Sequence, residues 1–192
     1  MFAAALPELL TIYATAMGYE RTTAAARSPL WLDHSRRQGF RCVIAVMNSV
    51  SGTPEPTPSA LAGFGYGYTG APGQWWFGEV ARGLGGPGHP ALADYFELTE
   101  LHVLPAFQGH GIGEAVLRTL LAPVTNRAVL LSTPEGENRA WRLYRRVGFT
   151  DVLRQFLFHG DGRPFAVLGR SLPVPPSGDV ISPPRDLPRR TA

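Results

Sequence analysis

The thirteen residues Leu101-His102-Val103-Leu104-Pro105-Ala106-Phe107-Gln108-Gly109-His110-Gly111-Ile112-Gly113 constrain this chain more than any other stretch. They run from strand to turn to helix with no spacer. Glu97 to Val103 is rich in apolar and branched residues and reads as a strand, while Gly111 to Leu121 carries helical periodicity up to Pro123. A glycine-rich turn that opens a helix leaves backbone N–H groups unpaired at the positive end of the helix dipole. Bare Cα atoms then let an anion come close, and a pyrophosphate is the expected guest. The turn is not the dinucleotide fingerprint G-x-G-x-x-G, because Glu114 stands where the third glycine belongs. Nor is it the nucleotide P-loop, since all 18 basic residues are arginine and the chain has no lysine. The same absence removes Schiff bases to pyridoxal phosphate and Ser-Lys nucleophile pairs.

Around this segment, a 192-residue chain with 44% hydrophobic residues can fill one ordinary core. Its 22 glycines and 18 prolines would argue for disorder if evenly spread. They are not: Pro54, Pro56 and Pro58 cluster, and so do Pro173, Pro175, Pro176, Pro183, Pro184 and Pro188. The expected organisation is one domain over 1–172 with a mobile loop at 48–60 and a surface insertion at 70–92, followed by a Pro-rich disordered tail at 173–192. A net charge of +3 with dispersed arginines leaves no nucleic-acid footprint. The lone Cys42 cannot form an internal disulfide, reads as a small core residue, and favours a reducing, cytoplasmic home. Ala14-Thr15-Ala16 mimics a signal-peptide cleavage site, but no basic residue precedes Arg21, and Pro7 and Glu8 interrupt the apolar run. Leu6, Leu9, Leu10, Tyr13, Ala14 and Met17 form the stripe of an amphipathic first helix instead. No apolar run is long enough to span a membrane.

The remaining elements follow from local signals. Ser28-Pro29 can start a second helix over Leu30 to Gln38, stopped by Gly39. Strands are expected at Arg41 to Met47 and at Leu61 to Tyr68. In the latter, Gly63, Gly65 and Gly67 alternate with Phe64, Tyr66 and Tyr68, so one face is bare and something should approach it closely. The insertion, with Trp75, Trp76 and Phe77, is expected to hold one helical turn over Phe77 to Arg82. A short buried strand at Ala128 to Ser132, a helix at Glu137 to Val147 closed by Gly148, and a hairpin from Val152 to Phe158 and Phe165 to Leu168 complete an α/β pattern with a mixed sheet.

Gln-x-x-Gly-x-Gly after a strand ending in Val-x-Pro resembles the acetyl-CoA turn of the GNAT acetyltransferase superfamily, with Gln108, Gly111 and Gly113 on the motif. Ala140-Trp141-Arg142-Leu143-Tyr144-Arg145-Arg146-Val147-Gly148-Phe149 is similar to that superfamily's second signature, A-x-x-L-Y-x-x-x-G-F. The spacing has its own physics: Ala140, Leu143, Tyr144 and Val147 share a helix face, and Gly148 sits where a left-handed C-cap is needed. The resemblance implies a single-domain fold with a mixed, mostly antiparallel sheet flanked by helices and splayed at the cofactor site. It covers Glu97 to Leu172 closely. Two departures stand out: no room for a strand before helix one, and Glu137 where the family often has asparagine, with Asn138 one place later.

The resemblance further implies acetyl-CoA as co-substrate. Contacts fall to the backbone of Leu101, His102 and Val103, to the turn Gln108, Gly109, His110, Gly111, Ile112 and Gly113, and to Asn138. Tyr144 matches the tyrosine that protonates the departing thiolate, and its alternative is a core tyrosine. For the base, strict alternation would put Leu98, Glu100 and His102 on one face of the strand. Glu100, a carboxylate in mid-strand, is the first candidate, with a salt bridge to arginine as the alternative and His102 as runner-up. One of Arg139, Arg142, Arg145 and Arg146 could hold a CoA phosphate. Trp75, Trp76 and Phe77 would wall the acceptor site or anchor the surface. The scattered histidines propose no metal. The resulting expectation is an N-acetyltransferase moving acetyl directly to a primary amine in a ternary complex, with no nucleic-acid or membrane partner and a homodimer left open. The competing expectation is an acyl-CoA-binding sensor or scaffold without turnover.

Overall fold

Alternating glycine and aromatic residues build the strand on which the sheet is centred. The computed structural model describes residues 2–47 and 60–175, and in it Ala60–Thr69 (β2) turns Phe64, Tyr66 and Tyr68 fully inward on one face. The bare face receives a helix. A Cβ on Gly65 would lie 3.0 Å from Val116 in Ile112–Leu121 (α5), and one on Gly67 would enter the Phe96 ring, so glycine is what lets that layer close.

The sheet holds six strands in the order β1-β2-β3-β4-β6-β5, with Arg41–Met47 (β1), Tyr95–Val103 (β3), Ala128–Pro134 (β4), Thr150–Phe156 (β5) and Phe165–Ser171 (β6). All neighbours are antiparallel except β3 and β4. On the aromatic face lie Phe2–Met17 (α1), Arg21–Ala25 (α2) and Ser28–His34 (α3), whose Leu9, Tyr13 and Trp31 pack on Phe64 and Tyr66. The helix expected over Leu30 to Gln38 is α3, which begins at Ser28 and ends at His34, because the chain must turn by Gly39, at φ +69°, to enter β1, and the short α2 before it was not expected. On the other face, α5 and Arg139–Arg146 (α6) cover Phe96, Leu98, Val129 and Leu131. The face each helix buries follows from its stripe.

The expected surface insertion at 70–92 is corrected. Trp75–Leu84 is a ten-residue helix (α4), and its Trp76, Phe77 and Val80 are buried against Tyr95, Leu130, Phe156 and Val167. A Cβ on Gly83 would sit 2.6 Å from Leu153, so the glycines that made the segment look irregular let α4 lie close on β5. The expected loop at 48–60 lies outside the described residues except for Ala60, which opens β2. Most of the expected tail, 176–192, lies outside them as well, while Val174 packs against the α5 core. Among the described residues, no helix is long and apolar enough to cross a membrane.

Candidate active site

β3 and β4 pair only from Tyr95 to Glu97 and from Ala128 to Leu130, after which the two strands separate. β3 runs on to Val103 paired only with β2, so its far edge faces a gap. In an antiparallel ladder, alternate residues bond to the neighbour. Leu104 N–H donates to Ala62 O (2.8 Å), which assigns the β2-facing set to Leu104, His102 and Glu100. Leu101 and Val103 therefore point their backbone groups into the gap, and Val103 O accepts from Gln108 Nε2 at 2.9 Å. Of Leu101, His102 and Val103, whose backbones were expected to offer contacts, Leu101 and Val103 face the gap, while the pairing turns the His102 amide toward β2.

A second irregularity decides where the side chains go. The β2–β3 register pairs Tyr66 with Glu100 but Gly67 with Leu98, leaving Thr99 as an extra residue on β3. This bulge reverses the alternation. Leu98 and Leu101 consequently pack on the α5–α6 side. Glu100 and His102 reach the α1–α3 side, where His102 stacks edge-on with Tyr13 at 5.1 Å and lies 5.6 Å from Phe64. Strict alternation, which grouped Leu98 with Glu100 and His102, fails at this one residue.

On the α5–α6 side the gap opens into a cleft of about 520 Å³ lined by Leu101, Val103, the turn, Leu143, Tyr144 and several arginines. Gly109 and Gly111 adopt φ of +85° and +80°, and a Cβ on either would meet open space, so backbone conformation rather than crowding requires glycine. Gly111 caps α5 with no side chain in the way, leaving first-turn amides unencumbered. Gln108 works inside the protein: its Nε2 donates to Val103 O and its Oε1 accepts from Arg139 Nη1 (3.3 Å), tying turn, β3 and α6 together. His110 and Asn138 are exposed and do not line the cleft. Asn138 Oδ1 accepts the Trp141 N–H at 3.0 Å, so its task is to cap α6. Of the arginines, Arg139, Arg142 and Arg146 line the cleft, whereas Arg145 stacks on Trp141 and pairs with Asp151. Arg146 and Arg118 hold the Glu114 carboxyl below its ordinary range, which keeps that anion neutralised beside the turn.

Tyr144 lies on the cleft wall, 7% exposed, and burial pushes its phenol above the ordinary value, so at neutral pH it keeps its proton. Across the sheet, the Glu100 carboxylate lies 2.6 Å from His102 Nε2 and 3.9 Å from Arg27 Nη1. The expected arginine bridge is thus only a distant one, and histidine is the direct partner. Tyr13, whose phenol burial raises to about 12, stacks edge-on against His102 and lies under the Arg27 guanidinium. Sequence reasoning missed Tyr13 and Arg27. Tyr13 was indistinguishable from its helix stripe, and Arg27 lies far from the motifs in the chain. Trp76 and Phe77 are core residues, leaving Trp75, 60% exposed and 5.7 Å from Phe158, as the aromatic open to solvent. Among the described residues no group could hold a metal.

The profile of the acetyltransferase (GNAT) domain matches residues 73–151, which span α4 to the start of β5. A GCN5-like protein acetyltransferase of Mycobacterium tuberculosis is 50% identical over 190 residues, covering 88% of this chain and 92% of that one. The chain belongs to the GNAT acetyltransferase family. Solved GNAT structures share its fold at low identity. An acetyltransferase of Salmonella typhimurium solved with acetyl-CoA superposes with a TM-score of 0.58 at 13% identity, covering 93% of this chain and 95% of that one. The ribosomal-protein-alanine N-acetyltransferase of Brucella melitensis gives 0.57 at 20%, covering 88% and 96%. Acetyl-CoA is the acyl donor of GNAT enzymes, and the cleft beside the glycine turn suits a pyrophosphate: free amides, αL glycines and three arginines converge there.

Proposed function

We propose that this GNAT protein transfers acetyl directly from acetyl-CoA to a primary amine on a protein acceptor, within a ternary complex. One observation carries the reading. The gap left where β3 parts from β4 has a phosphate-ready cleft on one face and the Glu100–His102 pair on the other. A donor entering from one side and an acceptor from the other would meet at Leu101 to Val103, with no need for a covalent enzyme intermediate. The name of the M. tuberculosis relative supports a protein acceptor.

Acetyl-CoA supplies an acetyl group activated as a thioester. An acceptor amine with an ordinary pKa of about 10 arrives protonated and must lose a proton before it attacks. Glu100 takes that proton and becomes a neutral carboxylic acid, and His102, 2.6 Å away, holds the carboxyl group in place. Leu101 and Val103 offer gap-facing N–H groups to the oxygen on which charge develops. Tyr144 gives its proton to the departing sulfur. Gly109 to Gly113 present amides to the pyrophosphate, with Arg139, Arg142 and Arg146 assisting.

Steady-state kinetics with acetyl-CoA and lysine-containing peptides test this. Intersecting double-reciprocal lines are expected, and parallel lines would overturn direct transfer. Tight CoA binding by calorimetry, with no acetylation across a broad amine panel, would instead establish a sensor or scaffold.

A further inference from the structure

Arg27 stands at the mouth of the acceptor side in an unusual state. It closes the turn between α2 and α3, where its N–H donates to Ala24 O and its carbonyl accepts from Trp31 N, both at 3.0 Å. Its backbone is therefore fixed. Its guanidinium lies 5.0 Å above the Tyr13 ring, which orients it, and its nearest carboxylate oxygen is Glu100 Oε1 at 3.9 Å, beyond hydrogen-bond distance. Two other arginines, Arg163 and Arg37, are engaged by carboxylates. Arg163 donates to Asp161 through Nε and Nη2, and Arg37 donates to Asp33 and to Tyr68. The Arg27 side chain is 44% exposed, so a rigidly placed planar cation presents its donors to whatever approaches Glu100.

The chemistry of transfer makes this arrangement selective. When Glu100 accepts the proton leaving the acceptor nitrogen, the carboxylate becomes a neutral acid and Arg27 loses the counter-charge 3.9 Å away. An acceptor that brings its own carboxylate restores the pair at that moment. It also turns Arg27 from a group that repels an incoming ammonium into one that holds its neighbour. The separation of 3.9 Å between Arg27 and Glu100 requires amine and carboxylate to be close together on the acceptor.

We propose that Arg27 is a specificity determinant that selects acceptors carrying a carboxylate beside the reacting amine, in an acidic peptide segment. The inference rests on the reading that the acceptor enters on the Glu100 face.

The test uses peptides with one reactive lysine flanked by aspartate, by asparagine or by arginine, together with free aspartate and glutamate as small amines. The wild-type enzyme should favour the aspartate-flanked peptide over the asparagine-flanked one roughly tenfold in kcat/KM. Arg27→Ala and Arg27→Gln should both abolish the difference in kcat/KM between the aspartate and asparagine peptides, while the KM for acetyl-CoA, which binds on the other face, stays at the wild-type value. Arg163→Ala, which removes an arginine already paired with Asp161, should keep the preference. The Gln variant keeps a polar side chain but loses the charge and the guanidinium fork, so Arg27→Lys, which keeps the charge, should retain part of the preference, and its retention in a protein with wild-type melting marks a charge effect. Equal wild-type rates on aspartate and asparagine peptides would overturn the proposal while leaving the acetyltransferase reading intact. Arg27-dependent acetylation of the free amino acids but of no peptide would overturn the peptide assignment. Turnover of no amine at all would instead overturn the proposed function.

Discussion

Glu100 and Leu101 are neighbours whose side chains serve opposite faces of the sheet, and they do so in the right sense only because Thr99 is an extra residue in the β2–β3 ladder. Leu101 packs toward the cleft beneath α5 and α6, and Glu100 meets His102 and Tyr13 on the far side. Without the bulge the carboxylate would fall among Phe96, Leu98 and Leu117, where an unpaired charge is costly to bury. One inserted residue thus places the Glu100–His102 pair and the cleft beside the glycine turn on opposite faces of the sheet.

That separation predicts distinct phenotypes for the two candidate catalytic groups. Glu100→Gln should lower kcat by about 10²- to 10⁴-fold, the usual contribution of a general base, with the Kd for acetyl-CoA unchanged. The loss should shrink as pH rises, since an acceptor amine deprotonated by solvent needs the base less. Tyr144→Phe should lower kcat without this pH rescue, because its proton goes to the sulfur. Rate against pH for both variants, with CoA affinity by calorimetry, checks the pair. An unchanged kcat in either removes that residue from the mechanism.

Much of the donor side was legible in the chain because local rules write it. Gly109 and Gly111 need positive φ, Gly148 at φ +89° ends α6 after the face that carries Tyr144, and both signals lie within a few residues of what they position. The Glu100 face was legible only in part: alternation correctly grouped Glu100 with His102, but a bulge leaves no mark in a period-two pattern, so Thr99 hid that Leu98 turns to the opposite face. Arg27 and Tyr13 reach the site only through tertiary packing of α1 to α3 on β3. The α4 segment misled for a different reason: Gly78, Gly83, Gly85 and Gly86 lower helix propensity, and burial of Trp76, Phe77 and Val80 outweighs that cost.

The same helix separates two adjacent tryptophans. Trp76 is 8% exposed, stacks near Tyr95 at 5.8 Å and donates from Nε1 to Ser132 Oγ at 3.1 Å. Trp76→Ala should cost about 3–5 kcal/mol in denaturant unfolding. Trp75→Ala, removing a ring largely in solvent, should stay within about 0.5 kcal/mol. Equal costs would mean that α4 is a surface element after all.

The turn glycines divide in a similar way. Gly111→Ala forces an alanine into φ +80° and should destabilise the fold by about 1–2 kcal/mol, as well as weaken acetyl-CoA binding. Gly113 is not in the left-handed region, and a Cβ there would make ordinary contact with Leu143 at 3.4 Å on the cleft wall. Gly113→Ala should therefore melt like the wild type yet raise the KM for acetyl-CoA. Thermal melts read beside acetyl-CoA titrations distinguish the two, and a Gly113→Ala protein with wild-type KM would place the pyrophosphate elsewhere.

Glu97 offers a test of the buried network beneath the acceptor face. It is 3% exposed, its Oε1 accepts from the Tyr68 hydroxyl at 2.9 Å, and its Oε2 has no partner. Burial pushes its carboxyl up from an ordinary 4.5 to about 7. Between those values the folded protein keeps a proton that the unfolded chain has released. The stability this group contributes is therefore complete below pH 4.5 and is lost as pH rises through 7. Nearby His34, lowered by burial to about 4, works in the opposite sense, because the unfolded chain takes up a proton below 6.5 that the folded protein refuses. Their sum obscures either one in the wild type, but the difference between Glu97→Gln and wild type cancels the histidine. That difference should be small at pH 5 and grow in favour of the glutamine variant up to pH 8, reaching on the order of 2 kcal/mol. Urea unfolding of both proteins across this range measures it. A gap independent of pH would mean that Glu97 is ionised throughout, with the charge carried by Arg37 through Tyr68.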